Sequence, residues 1–200
     1  MDYGLRFKKA VHRIDEENGK DPHVILVGGA ARPYELVYSQ WVTDWVLQLC
    51  PQASEALRLA ARSQHICRWM IPRKSYEMTR AGYLKWRADL KQFHAEKSGE
   101  ILSEAGYPNE MISRVQALNL KKNLAGDSDC QILEDALCLV TIQHQLAELM
   151  EKTEPEKMLQ IVRKTWKKMS PKAWELALAL ALPEPERELI KNALAEESAM

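Results

Sequence analysis

Apolar residues recur every three or four positions along most of this chain, which is the spacing that forms one face of an α-helix. Within residues 35–49, for example, one side of the predicted helix carries Tyr38, Trp41, Val42 and Trp45. Proline, glycine and capping residues interrupt the pattern at short intervals, and the sequence has no internal repeat. The sequence therefore predicts an all-α fold, a single globular bundle of about eight helices over residues 1–200 with its core in residues 5–195.

Capping residues and breakers predict where several helices begin and end. Ser54 is predicted to cap a helix that runs to about Cys67, and Asp127 or Ser128 is predicted to start a helix that runs to about Lys152. Residues 23–35 combine a short apolar run with two glycines, but no second strand-like run follows. We therefore predict an extended connector there. The two glycines do not form a phosphate-binding loop, because the GxxxxGK[ST] and GxGxxG patterns are absent.

The segment KMSPK at residues 168–172 resembles the KMSKS loop of class I aminoacyl-tRNA synthetases. That loop works on a nucleotide-binding α/β domain with an HIGH-type partner, and the sequence has neither. Ser170 followed by Pro171 is instead typical of a helix start.

The overall charge limits the possible partners. Basic and acidic residues number 28 each, so the net charge is zero, which argues against a general polyanion-binding protein. A basic loop over residues 68–79 is nevertheless a candidate local patch. The most apolar run, residues 176–183, is too short to span a bilayer, so we expect no membrane association. Four cysteines without CxxC spacing, and an N-terminus without a signal-like segment, favour the reducing cytoplasm.

Glu134 and Asp135 stand in a helix that is otherwise apolar nearly all round, which is typical of a buried helix. A buried carboxylate must be protonated, paired with a cation or bound to a metal ion. Gln131 lies one turn before Asp135 and is predicted to join the same network and contact its ligand.

Tyr83, Arg87 and His94 fall on one face of a helix that is predicted to run from about Thr79 to Gly106. A Tyr–Arg–His stripe between apolar residues indicates a ligand-facing surface. The alternative is an amphipathic border, in which the arginine reaches solvent and the histidine bonds a backbone carbonyl.

The stretch Gln64–Arg73 places another histidine and two more arginines in apolar surroundings. If the helix continues, His65, Arg68 and Trp69 share one side of it, and Arg73 follows a helix-breaking proline. The alternative is that His65 is a core residue whose hydrogen bonds are satisfied within the protein.

Three stretches resemble a known family. They read EALRLAARSQHICRWMIPR at residues 55–73, AGYLKWRADLKQFHAEKSGEIL at 81–102 and QILEDALCLV at 131–140. In this order they resemble the uncharacterised family named domain of unknown function 4202, over about residues 5–195. The family name implies no activity.

A more distant resemblance is to the HD-domain metal-dependent phosphohydrolases. AARSQHI, FHAEKSGEILSEAGYP and LEDA are similar to stretches that carry metal ligands in those helical proteins. The resemblance implies an HD-domain-like fold and a metal ion held by His65, His94 and Asp135. No histidine stands at the first ligand position, near Tyr38 and Ser39, so the implied site is mononuclear. Nitrogen and carboxylate ligands suit Fe, Mn, Zn or Ni.

The resemblance leads to one hypothesis, a metal-dependent hydrolase that acts on a phosphorylated or otherwise anionic small molecule, such as a nucleotide. The metal ion would activate a water molecule, and Glu134 would position or deprotonate that water. Arg68, Arg73 and Arg87 would bind the anionic groups of the substrate.

A second hypothesis needs no metal ion. The buried carboxylates would pair directly with Arg68, Arg87 and His65, and the remaining basic and aromatic side chains would bind an anionic ligand or RNA. The side chains suited to stacking and phosphate contact are Trp69, Trp86, Tyr83 and Arg73. A third hypothesis is a structural ion-pair network in a non-catalytic interaction module.

Overall fold

The computed structural model of the protein describes residues 4–121 and 126–195. The chain forms two compact units, Met1–Cys130 and Gln131–Met200. Helices make up most of the described residues, which confirms the predicted helical class. The first unit contains α1 (Leu5–Asn18), β1 (Val24–Val27), β2 (Ala30–Pro33), α2 (Tyr34–Leu49), α3 (Glu55–Ser63), α4 (Arg80–Glu104), α5 (Asn109–Leu120) and the start of α6 (Ser128–His144). The second unit contains the rest of α6, then α7 (Leu146–Glu151), α8 (Pro155–Trp166), α9 (Pro171–Leu178) and α10 (Glu184–Ala195).

The described residues contain ten α-helices, more than the eight or so predicted. The helix predicted to reach Cys67 ends at Ser63, because Cys67 adopts the left-handed conformation with φ 52°. The helix predicted to reach Lys152 is interrupted at Gln145, whose φ of −124° lies outside the helical region. Periodicity alone did not reveal either break, since the apolar spacing continues through both.

The extended connector predicted over residues 23–35 was wrong, because this segment forms an antiparallel β-hairpin. Val24 pairs with Pro33 and Val27 with Ala30. Gly28 and Gly29 both have positive φ, 58° and 82°, as the two central residues of a tight type I′ hairpin turn require. The second strand escaped notice because its sequence, AARP, lacks the apolar character expected of a strand.

Helix α3 lies at the centre of the first unit and packs against α1, α2 and α5. Leu57, Leu59, Ala60 and Ala61 on this helix are all 0 % exposed. The predicted cap is confirmed, since the Ser54 hydroxyl accepts a hydrogen bond from the Leu57 amide at 3.1 Å. Because α3 ends inside the core, the residues that follow it carry polar groups into the interior.

Helices α4 and α5 are held close together, which fixes α4 against the end of α3. A Cβ atom at Gly99 would clash with the Gln116 side-chain amide, and that amide donates to the Ala95 carbonyl at 3.1 Å. The Asn119 amide donates to the hydroxyls of Ser63 on α3 and Ser98 on α4, at 3.1 and 3.2 Å. One buried side chain of α5 therefore joins three helices.

In the second unit α8 packs against α7 and α10. The rings of Trp166 and Trp174 stack with their centroids 6.2 Å apart, and the Trp174 indole donates to the Trp166 carbonyl at 2.9 Å. Across the described parts of both units, no helix has the length and apolar character needed to cross a membrane.

Candidate functional site

His65 lies in the turn that follows α3, not on the helix as predicted. The turn is fixed on both sides of His65. Gln64, Ile66 and Cys67 are buried, and the Cys67 amide donates to the side-chain oxygen of Asn18 at 3.2 Å. The His65 ring therefore has a defined position at the edge of the core, with 18 % of its side chain exposed.

The neighbours of His65 define its tautomer. A nitrogen of the Arg68 guanidinium lies 3.4 Å from His65 Nε2. Because a guanidinium can only donate, Nε2 is the accepting nitrogen and Nδ1 carries the hydrogen. The ring also stacks on Tyr38 at 4.4 Å between centroids. Burial, reinforced by the charge of Arg68, lowers the pKa of His65 well below its usual value, so the imidazole is neutral at pH 7.

His94, on α4, lies beside His65, with 5.7 Å between the two ring centroids. Its Nδ1–H donates to the Ile66 carbonyl at 2.8 Å, so Nε2 carries the lone pair. Nε2 is buried and has no hydrogen-bond partner in the described part of the chain. Burial lowers the pKa of His94 to about 3. The hydrogen bond to the Ile66 carbonyl matches the alternative interpretation of the sequence, in which His94 bonds a backbone carbonyl. That interpretation did not predict the buried Nε2 atom without a partner.

Glu35 completes this cluster, and sequence reasoning missed it. The residue is 4 % exposed, and its Oε2 atom, 3.7 Å from His65 Nδ1, has no hydrogen-bond partner among the described residues. Burial raises the pKa of Glu35 to about 8, although the charge of Arg68 opposes the shift. A signal was available, because Glu35 stands in a largely apolar helix, as Glu134 and Asp135 do.

Glu35 also lines a cleft of about 240 Å³ in the first unit. The Arg68 guanidinium lies over the Trp86 ring, 4.9 Å from its centroid, and 4.0 Å from the Glu35 carboxyl. Trp86 is held in place because its indole donates to the Ile71 carbonyl at 2.9 Å. The side chains that line the cleft are those of Asp21, His23, Tyr34, Glu35, Arg68, Trp69, Ile71, Pro72, Arg73 and Trp86.

The remaining site residues predicted in this unit surround the cleft in different ways. Trp69 lines it and packs against the core cluster of Ile14 and its neighbours. Arg73 also lines it, but its guanidinium donates to three backbone carbonyls. Arg87 is half-buried, and its charge contributes to the lowered pKa of His65 and of His94. Tyr83 is 47 % exposed and contacts Trp86.

Gln131, Glu134 and Asp135 lie in the second unit, where all three contact the segment before α9. The Asp135 carboxylate accepts hydrogen bonds from the Ser170 amide at 2.8 Å, the Ser170 hydroxyl at 2.6 Å and the Gln131 amide at 2.9 Å. Glu134 approaches the Lys168 ammonium at 3.5 Å. The predicted helix start is confirmed, since Ser170 caps α9. Both oxygens of Asp135 are therefore engaged by the protein itself.

The predicted metal ligands fit a metal ion poorly. His65 Nε2 faces a guanidinium and Asp135 is held by Ser170 and Gln131, so only His94 offers an unpartnered ligand atom. The charges of Arg68, Arg87 and Lys121 all act on His65, and such a positive field opposes a bound cation. Within residues 4–121 and 126–195, no three His, Cys, Asp or Glu side chains are grouped to hold a metal ion.

Comparison with known proteins assigns the chain to a family without assigning an activity. No curated protein and no solved structure matches the chain. The family described as "Domain of unknown function (DUF4202)" matches residues 8–190, which is most of the sequence. The chain therefore belongs to the DUF4202 family.

Proposed function

We propose that the protein binds a phosphorylated or otherwise anionic small molecule, such as a nucleotide, in the cleft of the first unit, and that it does so without a metal ion. The observation that carries the proposal is the composition of this cleft. Two guanidinium groups, Arg68 and Arg73, line it together with the rings of Tyr34, Trp69 and Trp86. Guanidinium groups bind phosphate and carboxylate through paired donors, and flat rings stack on nucleobases.

Arg68 is suited to contact the anion directly. Its partners within the protein are weak, since His65 Nε2 lies 3.4 Å away and the Glu35 carboxyl 4.0 Å away. Stacking on Trp86 holds the guanidinium plane without using its N–H donors. A ligand with two anionic oxygens could therefore accept bonds from Arg68 without disrupting a strong ion pair.

The surroundings of His65 also favour an anion. Arg68, Arg87 and Lys121 place positive charge around this neutral ring, while burial favours the uncharged form of Glu35. With Glu35 uncharged, the guanidinium groups of Arg68 and Arg73 outnumber the remaining carboxyl group of the lining, that of Asp21, and an excess of positive charge in a cleft attracts anions.

Calorimetric titration with a panel of nucleoside monophosphates and sugar phosphates tests the proposal. Replacing Arg68 by methionine keeps the apolar stem but removes the charge, and we expect at least about a tenfold loss of affinity. Arg13→Met is the matched control, because Arg13 lies on α1 and pairs with Glu16. Equal affinity of R68M and R13M, or no binding by any compound of the panel, would rule the proposal out.

A second candidate function is the metal-dependent, HD-domain-like hydrolase implied by the distant resemblance. Its support is the unpartnered Nε2 lone pair of His94, because a neutral imidazole nitrogen is a common metal ligand. Elemental analysis of protein purified without added metal tests this candidate. Bound Fe, Mn, Zn or Ni that is lost in His94→Gln would support it. Protein that binds none of these ions on titration would exclude it.

A further inference from the structure

The segment next to the cleft carries unpaired positive charge. Residues 68–87 contain six basic residues and one acidic residue, although the whole chain has no net charge. Lys74, Arg80 and Lys85 are exposed. Within the described residues, none of these three side chains makes a hydrogen bond or an ion pair. The excess positive charge is therefore available to a ligand.

We call residues 73–85 the rim of the cleft, and their backbone is firmly held. The Arg73 guanidinium donates to the carbonyls of Tyr76, Glu77 and Thr79 at 3.1, 2.6 and 3.3 Å. Thr79 caps α4 by accepting from the Gly82 amide at 3.1 Å. A Cβ atom at Gly82 would clash with the Glu77 carbonyl. These hydrogen bonds hold the loop of the rim against the first turn of α4. The backbone that carries the basic side chains of the rim therefore has a fixed position.

A row of neighbouring guanidinium and aromatic groups leads from the cleft to the rim. Arg68 lies over Trp86 inside the cleft. The Tyr83 ring follows at 5.8 Å from Trp86, between ring centroids, and is 47 % exposed. The Tyr83 and Trp86 rings are tilted by 47° and do not stack on each other. The exposed Tyr83 ring offers a surface on which an unpaired base can stack.

The volume of the cleft limits how much of a ligand it can enclose. At about 240 Å³ it is smaller than the roughly 300–1,000 Å³ of typical small-molecule pockets. The cleft can therefore enclose one flat ring system with its nearest anionic group. Any further part of the ligand would extend over the rim.

Resting on the proposed function, we infer that the rim binds the phosphate backbone of a single-stranded nucleic acid whose terminal nucleotide occupies the cleft. Lys74 and Arg80 contact phosphates of the strand, and Tyr83, one turn after Arg80 on the same side of α4, stacks on the base next to the terminal one. Lys85 adds positive charge from the other side of α4. An acidic peptide would use the cations but not the rings of Tyr34, Trp69, Trp86 and Tyr83, so the aromatic row favours nucleic acid.

Fluorescence anisotropy with labelled single-stranded RNA and DNA of about ten nucleotides tests the inference, with nucleoside monophosphate and polyglutamate as competitors. Lys74→Gln, Arg80→Gln and Lys85→Gln are combined in one rim variant. The matched control combines Lys157→Gln, Lys164→Gln and Lys167→Gln, three exposed lysines of the second unit.

We expect either oligonucleotide to bind at least about tenfold more tightly than the monophosphate, and the rim variant alone to lose that advantage. The slope of log affinity against log salt should fall by at least about 1.4, since each of the two phosphate contacts of Lys74 and Arg80 contributes about 0.7 in a single strand. The rim variant should retain its affinity for the monophosphate.

Three results would overturn the inference. They are equal affinity for oligonucleotide and monophosphate, equal behaviour of the rim and control variants, and displacement of the oligonucleotide by polyglutamate at equal charge. In each case, binding of the monophosphate would leave the proposed function standing. Oligonucleotide binding without monophosphate binding would instead support the rim and remove the small-molecule proposal.

Discussion

The two sets of buried ionisable residues in this protein differ in how completely their hydrogen-bonding atoms are paired. In the second unit, Asp135 accepts three hydrogen bonds, two from Ser170 and one from Gln131. In the first unit, Glu35 Oε2 and His94 Nε2 are buried without a hydrogen-bond partner among the described residues. Glu35 and Asp135 both lie in largely apolar helices, so an apolar helix alone does not distinguish the two sets.

This difference separates structural polar groups from groups that await a ligand. A buried carboxylate with three donors stabilises the segment that supplies them, as Asp135 does for the start of α9. Buried polar atoms without partners weaken the folded state unless something else binds them. Glu35 also lines a cleft with two guanidinium groups. The hydrogen bonds of Asp135 give it a structural role, and the binding role of the surroundings of His65 remains the proposal that the experiments below test.

The largest expected effect is the loss of the Asp135 network. Asp135→Ala leaves the donors of Ser170 and Gln131 without their acceptor. It also removes the hydrogen bonds that hold Ser170, at the start of α9, against α6. Hydrogen bonds to a charged group are worth about 1.5–3 kcal/mol each, so the loss of three of them should lower the free energy of unfolding by about 5 kcal/mol. Urea denaturation measures it. A loss below about 1 kcal/mol would show that the network is not structural.

The second-largest expected effect is the pH dependence of stability that Glu35 causes. Folding raises its pKa from 4.5 to about 8, so the folded state binds the proton more tightly than the unfolded state. The contribution of Glu35 to stability is therefore complete below pH 4.5 and is lost as the pH rises towards 8. We expect a loss of about 4 kcal/mol across this window, since each pKa unit is worth about 1.4 kcal/mol.

Glu35→Gln is the test, because the amide resembles the protonated carboxyl but cannot ionise. Urea denaturation between pH 5 and 8 should show a smaller decline of stability in E35Q than in the wild type. If stability declined equally with pH in E35Q and in the wild type, the raised pKa of the buried Glu35 carboxyl would be contradicted.

A smaller effect is expected where the rim meets α4. Gly82→Ala places a methyl group against the Glu77 carbonyl, so the loop must move away from the helix. We expect the free energy of unfolding to fall by about 2 kcal/mol, as in other overpacked positions. Thermal denaturation measures this loss. Gly106→Ala, whose strain comes from its φ of 85° and not from a clash, is a useful comparison. Stability unchanged by G82A would contradict a rim packed on α4.

The smallest effect is expected at the edge of the Asp135 network. Lys168 approaches Glu134 at 3.5 Å but is 57 % exposed. Solvent screens such a pair, so Lys168→Met should change the free energy of unfolding by less than about 1 kcal/mol. A loss comparable with that of D135A would assign the stability of this region to Glu134 instead.

The sequence predicted the elements better than the contacts between them. Apolar spacing indicated the helices, and the local chemistry of Ser54 and Ser170 indicated two helix starts correctly. The contact between His65 and Arg68 was expected from their spacing, although His65 lies in a turn. The pairing of Asp135 with Ser170 joins residues 35 positions apart, and no local pattern encodes such a contact. Glu35 itself could have been found from its largely apolar helix, but its contacts could not. They come from Asp21 in the loop before β1, which accepts from the Glu35 amide at 3.0 Å, and from His65 in the turn after α3.

The role of each region is tested most directly by measuring nucleoside monophosphate affinity calorimetrically for Arg68→Met and Asp135→Asn side by side. We predict that R68M loses at least about tenfold in affinity, whereas D135N is less stable but binds as tightly as the wild type. The opposite result, unchanged binding in R68M and lost binding in folded D135N, would place the site at the Asp135 network and contradict the account.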